Sequence, residues 1–248
     1  VVTAVGHRAW LAMKERANPL TVARLMELSP ILVIAPHQDD ETLGCGGLLA
    51  TASRLGLRPR VAFLTDGSAS HTGSPTWSAN RLAKARRREA IKALDLLGVA
   101  KGDIRFLGWP DAKPHGAGDP GYAATLRRVT AWANSFTPRG LWSPWPGERH
   151  CDHAAAASLA SDVARRLRFK PSGMDYLVWG WTQPGLGRAR GPAWALDCPE
   201  TIETRRRALA CHRTQVTSLI ADAQAGFRIP PRLAALTLRP TEIYLERT

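Results

Sequence analysis

The sequence predicts an α/β protein with a mostly parallel sheet and helices on both faces. Short β-branched or aromatic runs alternate with longer stretches of helical period over most of the chain. Strands separated by helices imply parallel pairing, because each crossover returns the chain to the same edge of the sheet. The 248 residues are 44% hydrophobic and 22% charged, enough for one large domain with a substantial core.

The elements follow in order. "ILVIA" (31–35) reads as a buried strand, and "TLGCGGLLATASRLG" (42–56) as a helix closed by Gly56. "RVAFLTDG" (60–67) is a second strand running into a turn. The long helix 78–99 carries Leu82, Ala85, Ala90, Ala93, Leu94 and Leu97 at helical spacing. A third strand (103–108), a helix (121–136), a fourth strand (140–144), a helix (152–169) and a fifth strand (174–181) complete the alternation. A further helix spans 199–216, with Pro199 near its start. "IPPRLAALTLRPTEIYLER" (229–247) mixes prolines with a strand-like run and is expected to form an edge strand or cap. No repeat or low-complexity linker divides the chain. The expected organisation is therefore a single domain over 1–248, with a helical extension over 1–29 and a C-terminal helix and strand cap over 199–248.

No window approaches the ~20 uninterrupted apolar residues of a membrane span. The N-terminal stretch is too polar for a secretory h-region, so the cytoplasm is the expected compartment. Four cysteines form no CxxC pair and no disulfide framework. The net charge of +13 comes mostly from arginine clusters, "ARRREA", "ARRLRFK", "GRARG" and "ETRRRALA". These fit an anionic partner and fit equally a set of solvated helix faces.

Ligands of an open parallel sheet bind beyond the carboxyl ends of its strands. Three polar groups fall there: His37 to Glu41 after the first strand, Asp66-Gly67 after the second, and "WPGERHCDH" (145–153) after the fourth. His37 and Asp40, three apart on a loop turning into a helix, can aim at one point. A third ligand from His150 or His153 would complete a two-histidine, one-carboxylate metal site with an open position for water. A dication would make three adjacent carboxylates tolerable. The plainer alternative is that Asp40 or Glu41 serves the positive end of the following helix and His153 is a core histidine.

"PHQDDE" followed by a glycine-rich helix start resembles the signature of the LmbE-like, or PIG-L, family of zinc-dependent N-deacetylases, and "HCDHAAA" resembles that family's second motif. Weaker echoes follow in the family's order: "LTDG", "RRREAIKALDLLGV", "FLGWPD", "ACHRTQV" and "PTEIYLER", so the likeness spans about residues 30 to 247. The resemblance implies a three-layer Rossmann-like sandwich, the LmbE-like fold. It implies Zn2+ as cofactor, with other divalent metals also able to bind, held by His37, Asp40 and His153. Asp39 would be the general base. His150 would face the substrate carbonyl, with Asp152 orienting it and raising its pKa. Arg86 and Asp111 match positions that contact the sugar in relatives. Gln38 and Cys151 each replace a family proline, which leaves the rigidity of both loops in question. Cys45 and Cys151 are near enough to be considered as thiolate ligands, but the histidine–carboxylate set is complete without them.

The implied reaction removes an N-acyl group, acetyl foremost, from an amino sugar such as an N-acetylglucosamine conjugate. An anionic handle on that sugar, a phosphate or diphosphate or a lipid-linked form, would meet one or more arginines. A zinc amidase acting on another N-acyl or thiol–sugar conjugate is the first alternative. A Rossmann-like nucleotide binder is disfavoured because "GCGG" follows the acids and lacks the GxGxxG spacing. A nucleic-acid-binding role, prompted by the charge and nine tryptophans, competes with tryptophans that line a sugar pocket. The loops 68–77 and 182–194 are where specificity is expected, and His71 in the first either approaches the site or, the preferred reading, is a solvated loop histidine.

Overall fold

The computed structural model describes residues 2–183, 186 and 191–247. The strands among the described residues, numbered in chain order, are β1 (Asn18–Pro19), β2 (Ile31–Ala35), β3 (Arg60–Thr65), β4 (His71–Thr72), β5 (Ile104–Trp109), β6 (Gly140–Pro144), β7 (Ser172–Tyr176), β8 (Ala193–Asp197), β9 (Ala225–Gly226) and β10 (Thr241–Glu246). The α-helices of the described residues are α1 (Val2–Arg16), α2 (Val22–Glu27), α3 (Asp40–Arg54), α4 (Ala79–Leu96), α5 (Pro120–Asn134), α6 (Cys151–Arg166), α7 (Ile202–Cys211), α8 (Arg213–Val216) and α9 (Pro231–Thr237).

One sheet takes the order β1-β8-β10-β7-β6-β2-β3-β5, and β4 pairs with β9 in a separate ribbon. Every neighbouring pair in the large sheet is parallel except those of β10, which runs antiparallel to both β7 and β8. The five strands β5-β3-β2-β6-β7 step outward from β2, first to one side and then to the other. The order therefore reverses between β2 and β6. Loops leaving those two strands diverge, and the crevice between them is where an open α/β sheet binds ligands.

The greasy run 31–35 is buried on both sides, and its alternation decides which face each residue supports. Ile31, Val33 and Ala35 join Val61, Phe63, Leu48 and Leu94 in the core under α3 and α4. Leu32 and Ile34 join Leu126, Val129, Leu159 and Val163 under α5 and α6. A fully apolar strand is what a sheet covered on both faces requires.

The strands at 31–35 and 140–144 and the helix boundaries agree with expectation to within about three residues. Several elements differ. The expected strand 174–181 ends at Tyr176, and Trp179–Thr182 forms a 3-10 turn instead. The expected helix 199–216 breaks at His212 into α7 and α8. The terminal run is not an edge strand: β10 lies inside the sheet with partners on both sides. Its neighbour β8 arises partly from the segment read as a variable loop over 182–194, of which residues 184, 185 and 187–190 lie outside the described residues. The N-terminal segment is not one helix, because β1 separates α1 from α2 and pairs with β8. Among the described residues no helix is long and apolar enough to cross a membrane.

The "GCGG" glycines serve packing. A Cβ on Gly44 would lie 2.2 Å from the Tyr176 ring, and one on Gly47 would lie 2.5 Å from Cys198 Sγ. The Gly47 and Leu48 N–H groups donate to Glu242 at 2.7 and 2.8 Å, and buried Arg205 pairs with the same carboxylate at 3.2 Å. Close approach of α3 to β7 and β10, rather than a phosphate, explains these residues.

Candidate active site

The loop from β2 into α3 carries the first group. Asp40 and Glu41 occupy the first turn of α3, where the partial positive charge of the helix end favours carboxylates. Asp39 holds the N-cap position without a side-chain cap bond, so its carboxylate is left to face the cavity described below. The His37 backbone N–H donates to Asp40 Oδ2 at 3.0 Å, and His37 Nδ1 lies 3.0 Å from the same oxygen.

The loop from β6 into α6 brings the second group to the same place. His153 is sealed from solvent, with Nε2 3.3 Å from Asp40 Oδ2. His37, Asp40 and His153 thus present ligand atoms within 4.8 Å of one another, and so do His37, His150 and Asp152. The His37 and His153 ring centroids are 5.4 Å apart. Two loops more than a hundred residues apart in sequence meet across the switch point.

The donor chemistry fits a divalent cation at the first of these groups. His153 Nδ1 lies 2.5 Å from Glu148 Oε2, which accepts the Nδ1 proton, so that in the neutral ring Nε2 is the nitrogen carrying the lone pair. That Nε2 is buried without a hydrogen-bond partner. On the other side, His37 Nε2 lies 2.9 Å from Asp152 Oδ2 and 3.3 Å from Asp111 Oδ1. Each histidine therefore has one nitrogen turned to Asp40 and the other held by a carboxylate, the arrangement that orients imidazoles around metals.

The electrostatics follow from burial among opposite charges. Burial pulls the pKa of His37 down, but hydrogen bonds to Asp111, Asp152 and Asp40 outweigh it and hold the ring well above its ordinary value. His153 behaves likewise: burial opposes its charge, and Asp40 and Glu148 prevail to place it at about 9. Asp40 shows the reciprocal effect, held well below the carboxylate range by His153 and His37 in spite of burial. Burial raises Asp39, with the Arg86 guanidinium opposing that rise.

Arg86 is only 2% exposed. Its NH2 lies 3.3 Å from Asp39 Oδ2 and its NH1 donates to the Gly67 carbonyl at 3.1 Å. Both terminal nitrogens are thus directed at protein groups. Gln38, the residue in place of a proline, ties the loop to β3 by donating to the Thr65 carbonyl at 2.7 Å. Its Oε1 would lie 2.2 Å from a Cβ on Gly67, whose φ of +70° also calls for glycine. Asp66 accepts from the Ser68 N–H at 3.0 Å and so shapes its own turn.

Asp152 and His150 differ from expectation. Asp152 is fully buried and points at His37 and the Ala112 N–H, 2.9 Å from each, while His150 Nδ1 stands 3.9 Å away. His150 caps α6, its Nδ1 accepting from the Asp152 N–H at 3.3 Å. Its pKa is lowered rather than raised, because burial and the neighbouring His37 and His153 outweigh Asp152. Asp111 accepts from the Ala69 N–H at 2.8 Å and is drawn toward His37, which lowers its pKa although burial works against this.

A cavity of about 390 Å3 opens over these groups, with His37, Asp39, Asp40, Arg86, Asp111 and His150 among its lining. Trp179, Gln215, Phe227 and Ile229 also line it. Trp179 is one of the tryptophans weighed above as pocket lining, whereas Gln215, Phe227 and Ile229 were not assigned to the site. Glu148 was missed as well. It stands inside the quoted "WPGERHCDH", but only the fold shows that it faces His153. The late "ACHRTQV" segment reaches the site from behind, where His212 Nε2 lies 3.3 Å from Glu41 Oε1.

Other residues are clarified by burial. His71 is not solvated: it is 3% exposed in β4, with Nδ1 3.2 Å from Ser70 Oγ. Cys45 is buried, which pushes its thiol well up, and neither it nor Cys151 belongs to a metal-ligating group among the described residues. Trp109, Trp142 and Trp181 are core residues, while Trp77, Trp132 and Trp194 carry Arg81, Arg105 and Arg24 over their rings. Arginine–tryptophan pairing of this kind uses both partners within the protein and weakens the case for a nucleic-acid face.

Fold and site together define a class: an open α/β sheet with a two-histidine, one-carboxylate centre at its switch point. The chain belongs to the PIG-L family, GlcNAc-PI de-N-acetylase, which it matches over residues 32–164. It is 26% identical over 199 residues to the probable N-acetyl-alpha-D-glucosaminyl L-malate deacetylase 2 of Bacillus subtilis, covering 78% of this chain and 86% of that one. It is 27% identical over 199 residues to the diacetylchitobiose deacetylase of Thermococcus kodakarensis, covering 76% and 71%. The solved N,N'-diacetylchitobiose deacetylase of Pyrococcus horikoshii shares the fold with a TM-score of 0.67 at 22% identity, covering 88% of this chain and 83% of that one.

Proposed function

We propose that this protein is a zinc-dependent N-deacetylase acting on an amino-sugar conjugate of the N-acetylglucosamine type. The observation that carries the reading is the convergence of His37, Asp40 and the buried His153 beside Asp39, at a cavity that His37, Asp39 and Asp40 line. His37 Nδ1, Asp40 Oδ2 and His153 Nε2 would hold the cation, with Asp152 and Glu148 orienting the two imidazoles. A bound zinc ion supplies Lewis acidity, lowering the pKa of water and polarising a carbonyl.

The chain's own residues do the rest. Asp39 accepts the proton of the attacking water, and burial raises its basicity toward that task. Arg86 pairs with it at 3.3 Å, holding it in place and opposing that rise. His150 lines the same cavity, and because its Nδ1 accepts from the Asp152 N–H, the neutral ring carries its proton on Nε2. It can therefore donate to a developing oxyanion without being an imidazolium, a role in which one donor contributes about 3–4 kcal/mol. Asp111, Ala112 and Gln215 offer polar groups to sugar hydroxyls. The phosphate handle expected from the arginine clusters finds less support, since Arg86, the one lysine or arginine of the described lining, is directed at Asp39 and two carbonyls. We place the reaction in a reducing cytoplasm, a setting consistent with four unpaired cysteines.

Elemental analysis of the purified protein, followed by amine-release assays on free, phosphorylated and lipid-linked N-acetylglucosamine compounds, tests this. One zinc per chain and zinc-dependent amine release are expected. Full amide hydrolysis after chelation would refute the metal role.

A further inference from the structure

We propose that the substrate is a neutral amino-sugar conjugate bearing an apolar group, and that this group lies along the wall formed by Trp179, Phe227 and Ile229. The proposal rests on the deacetylase reading and deepens it. The cavity lining combines two unlike sets of side chains: a polar floor that includes His37, Asp39, Asp40, Asp111 and His150, and an apolar wall of Trp179, Phe227 and Ile229. A sugar ringed by hydroxyls would satisfy the floor and leave the wall without an apolar partner. Covering such a surface releases ordered water and is favourable in proportion to the area buried.

The wall is held in place without help from a ligand. The N–H groups on either side of Trp179, those of Val178 and Gly180, both donate to Glu148 Oε1 at 2.7 Å. The Trp179 and Phe227 rings meet edge to face, with centroids 5.6 Å apart. The Phe227 N–H donates to the Ser70 carbonyl at 2.8 Å, and the Ile229 N–H to the Gln215 carbonyl at 2.8 Å. Both aromatic side chains rest their backs on the main core cluster. A preformed wall loses little conformational entropy when it is covered, so apolar contact there translates into affinity. One carboxylate, Glu148, fixes the Trp179 segment of this wall and orients His153 at once. The apolar group and the scissile amide are thereby registered to a common point.

The test measures kcat/KM for amine release by the zinc-loaded enzyme on the methyl, phenyl and octyl glycosides of N-acetylglucosamine, its 6-phosphate and N-octanoylglucosamine. The phenyl or octyl glycoside, or the N-octanoyl compound, should exceed the methyl glycoside by about tenfold or more. A gain on the glycosides places the apolar group on the aglycone, and a gain on the octanoyl compound places it on the acyl chain. Trp179→Ala and Phe227→Ala should each bring that ratio toward one. A ratio near one in the unaltered enzyme, a ratio that survives both substitutions, or a preference for the 6-phosphate would overturn the proposal. Calorimetric titration with the octyl and methyl glycosides separates the two readings. If no compound releases amine the deacetylase reading fails. Tighter binding of the octyl glycoside, lost in Trp179→Ala, would still uphold the apolar wall, and equal binding would reject it.

Discussion

The Glu148 carboxylate lies 2.5 Å from Nδ1 of His153, and both side chains are sealed from solvent. This pair fixes which nitrogen of His153 is free to face Asp40. It also links the candidate metal centre to the segment around Trp179, because the second oxygen of Glu148 accepts from Val178 and Gly180.

Glu148→Gln should therefore lower zinc affinity by roughly 10–100-fold while the protein stays folded. The glutamine carbonyl can still accept from the two backbone N–H groups, but its amide cannot serve as an anionic partner for His153. Competition with a chromogenic chelator measures the effect. An unchanged Kd would mean that something other than Glu148 sets the imidazole.

Asp39→Asn should retain zinc and lose turnover by about 10²–10⁴-fold, since the amide keeps the shape but cannot take a proton. Zinc content and kcat, measured on the same preparation, check both halves. Near-normal kcat with metal bound would remove Asp39 as the base. His153→Ala, by contrast, should lose the metal itself.

Protons and zinc compete for the same imidazole nitrogens. The pKa of His153 stands at about 9, above its ordinary 6.5, so the metal-free fold binds more protons than the unfolded chain between those values. This contribution to stability is complete below about pH 6.5 and is lost as pH rises through about 9, by up to about 1.4 kcal/mol per pH unit and proton. Denaturation of chelator-treated protein across this range should show the decline. Zinc binding near pH 7.5 should in turn release at least one proton, visible as a dependence of calorimetric heat on buffer ionisation enthalpy. Binding without proton release would contradict the charged state assigned to His153.

Much of the site was legible because its signals are local. His37, Asp39 and Asp40 are fixed in spacing by one turn of chain between β2 and α3, and Asp152 and His153 by the start of α6. Strand β2 was readable because an apolar run of five residues has few other places to go. Glu148 was hidden for the opposite reason: five residues before His153 on an irregular loop, no period marks it as facing the ring. Phe227 and Gln215 were equally silent, because they reach the cavity from segments that have no common repeat. Strand β10 looked like an edge because its prolines precede it, yet pairing with both β7 and β8 was available only once the sheet had formed.

By itself, the order of residues determined which chemical groups this protein can bring to a reaction and at which strand ends they emerge, since period, polarity and short-range spacing are properties of the chain. Tertiary structure alone decided how those groups divide their work. It turned Asp152 toward His37 rather than His150, bound Arg86 to Asp39, and brought Trp179, Phe227 and Ile229 to the same cavity as the carboxylates. Such choices depend on distances between segments far apart in sequence and on the burial that strengthens each charge contact, and neither exists until the sheet closes around its switch point.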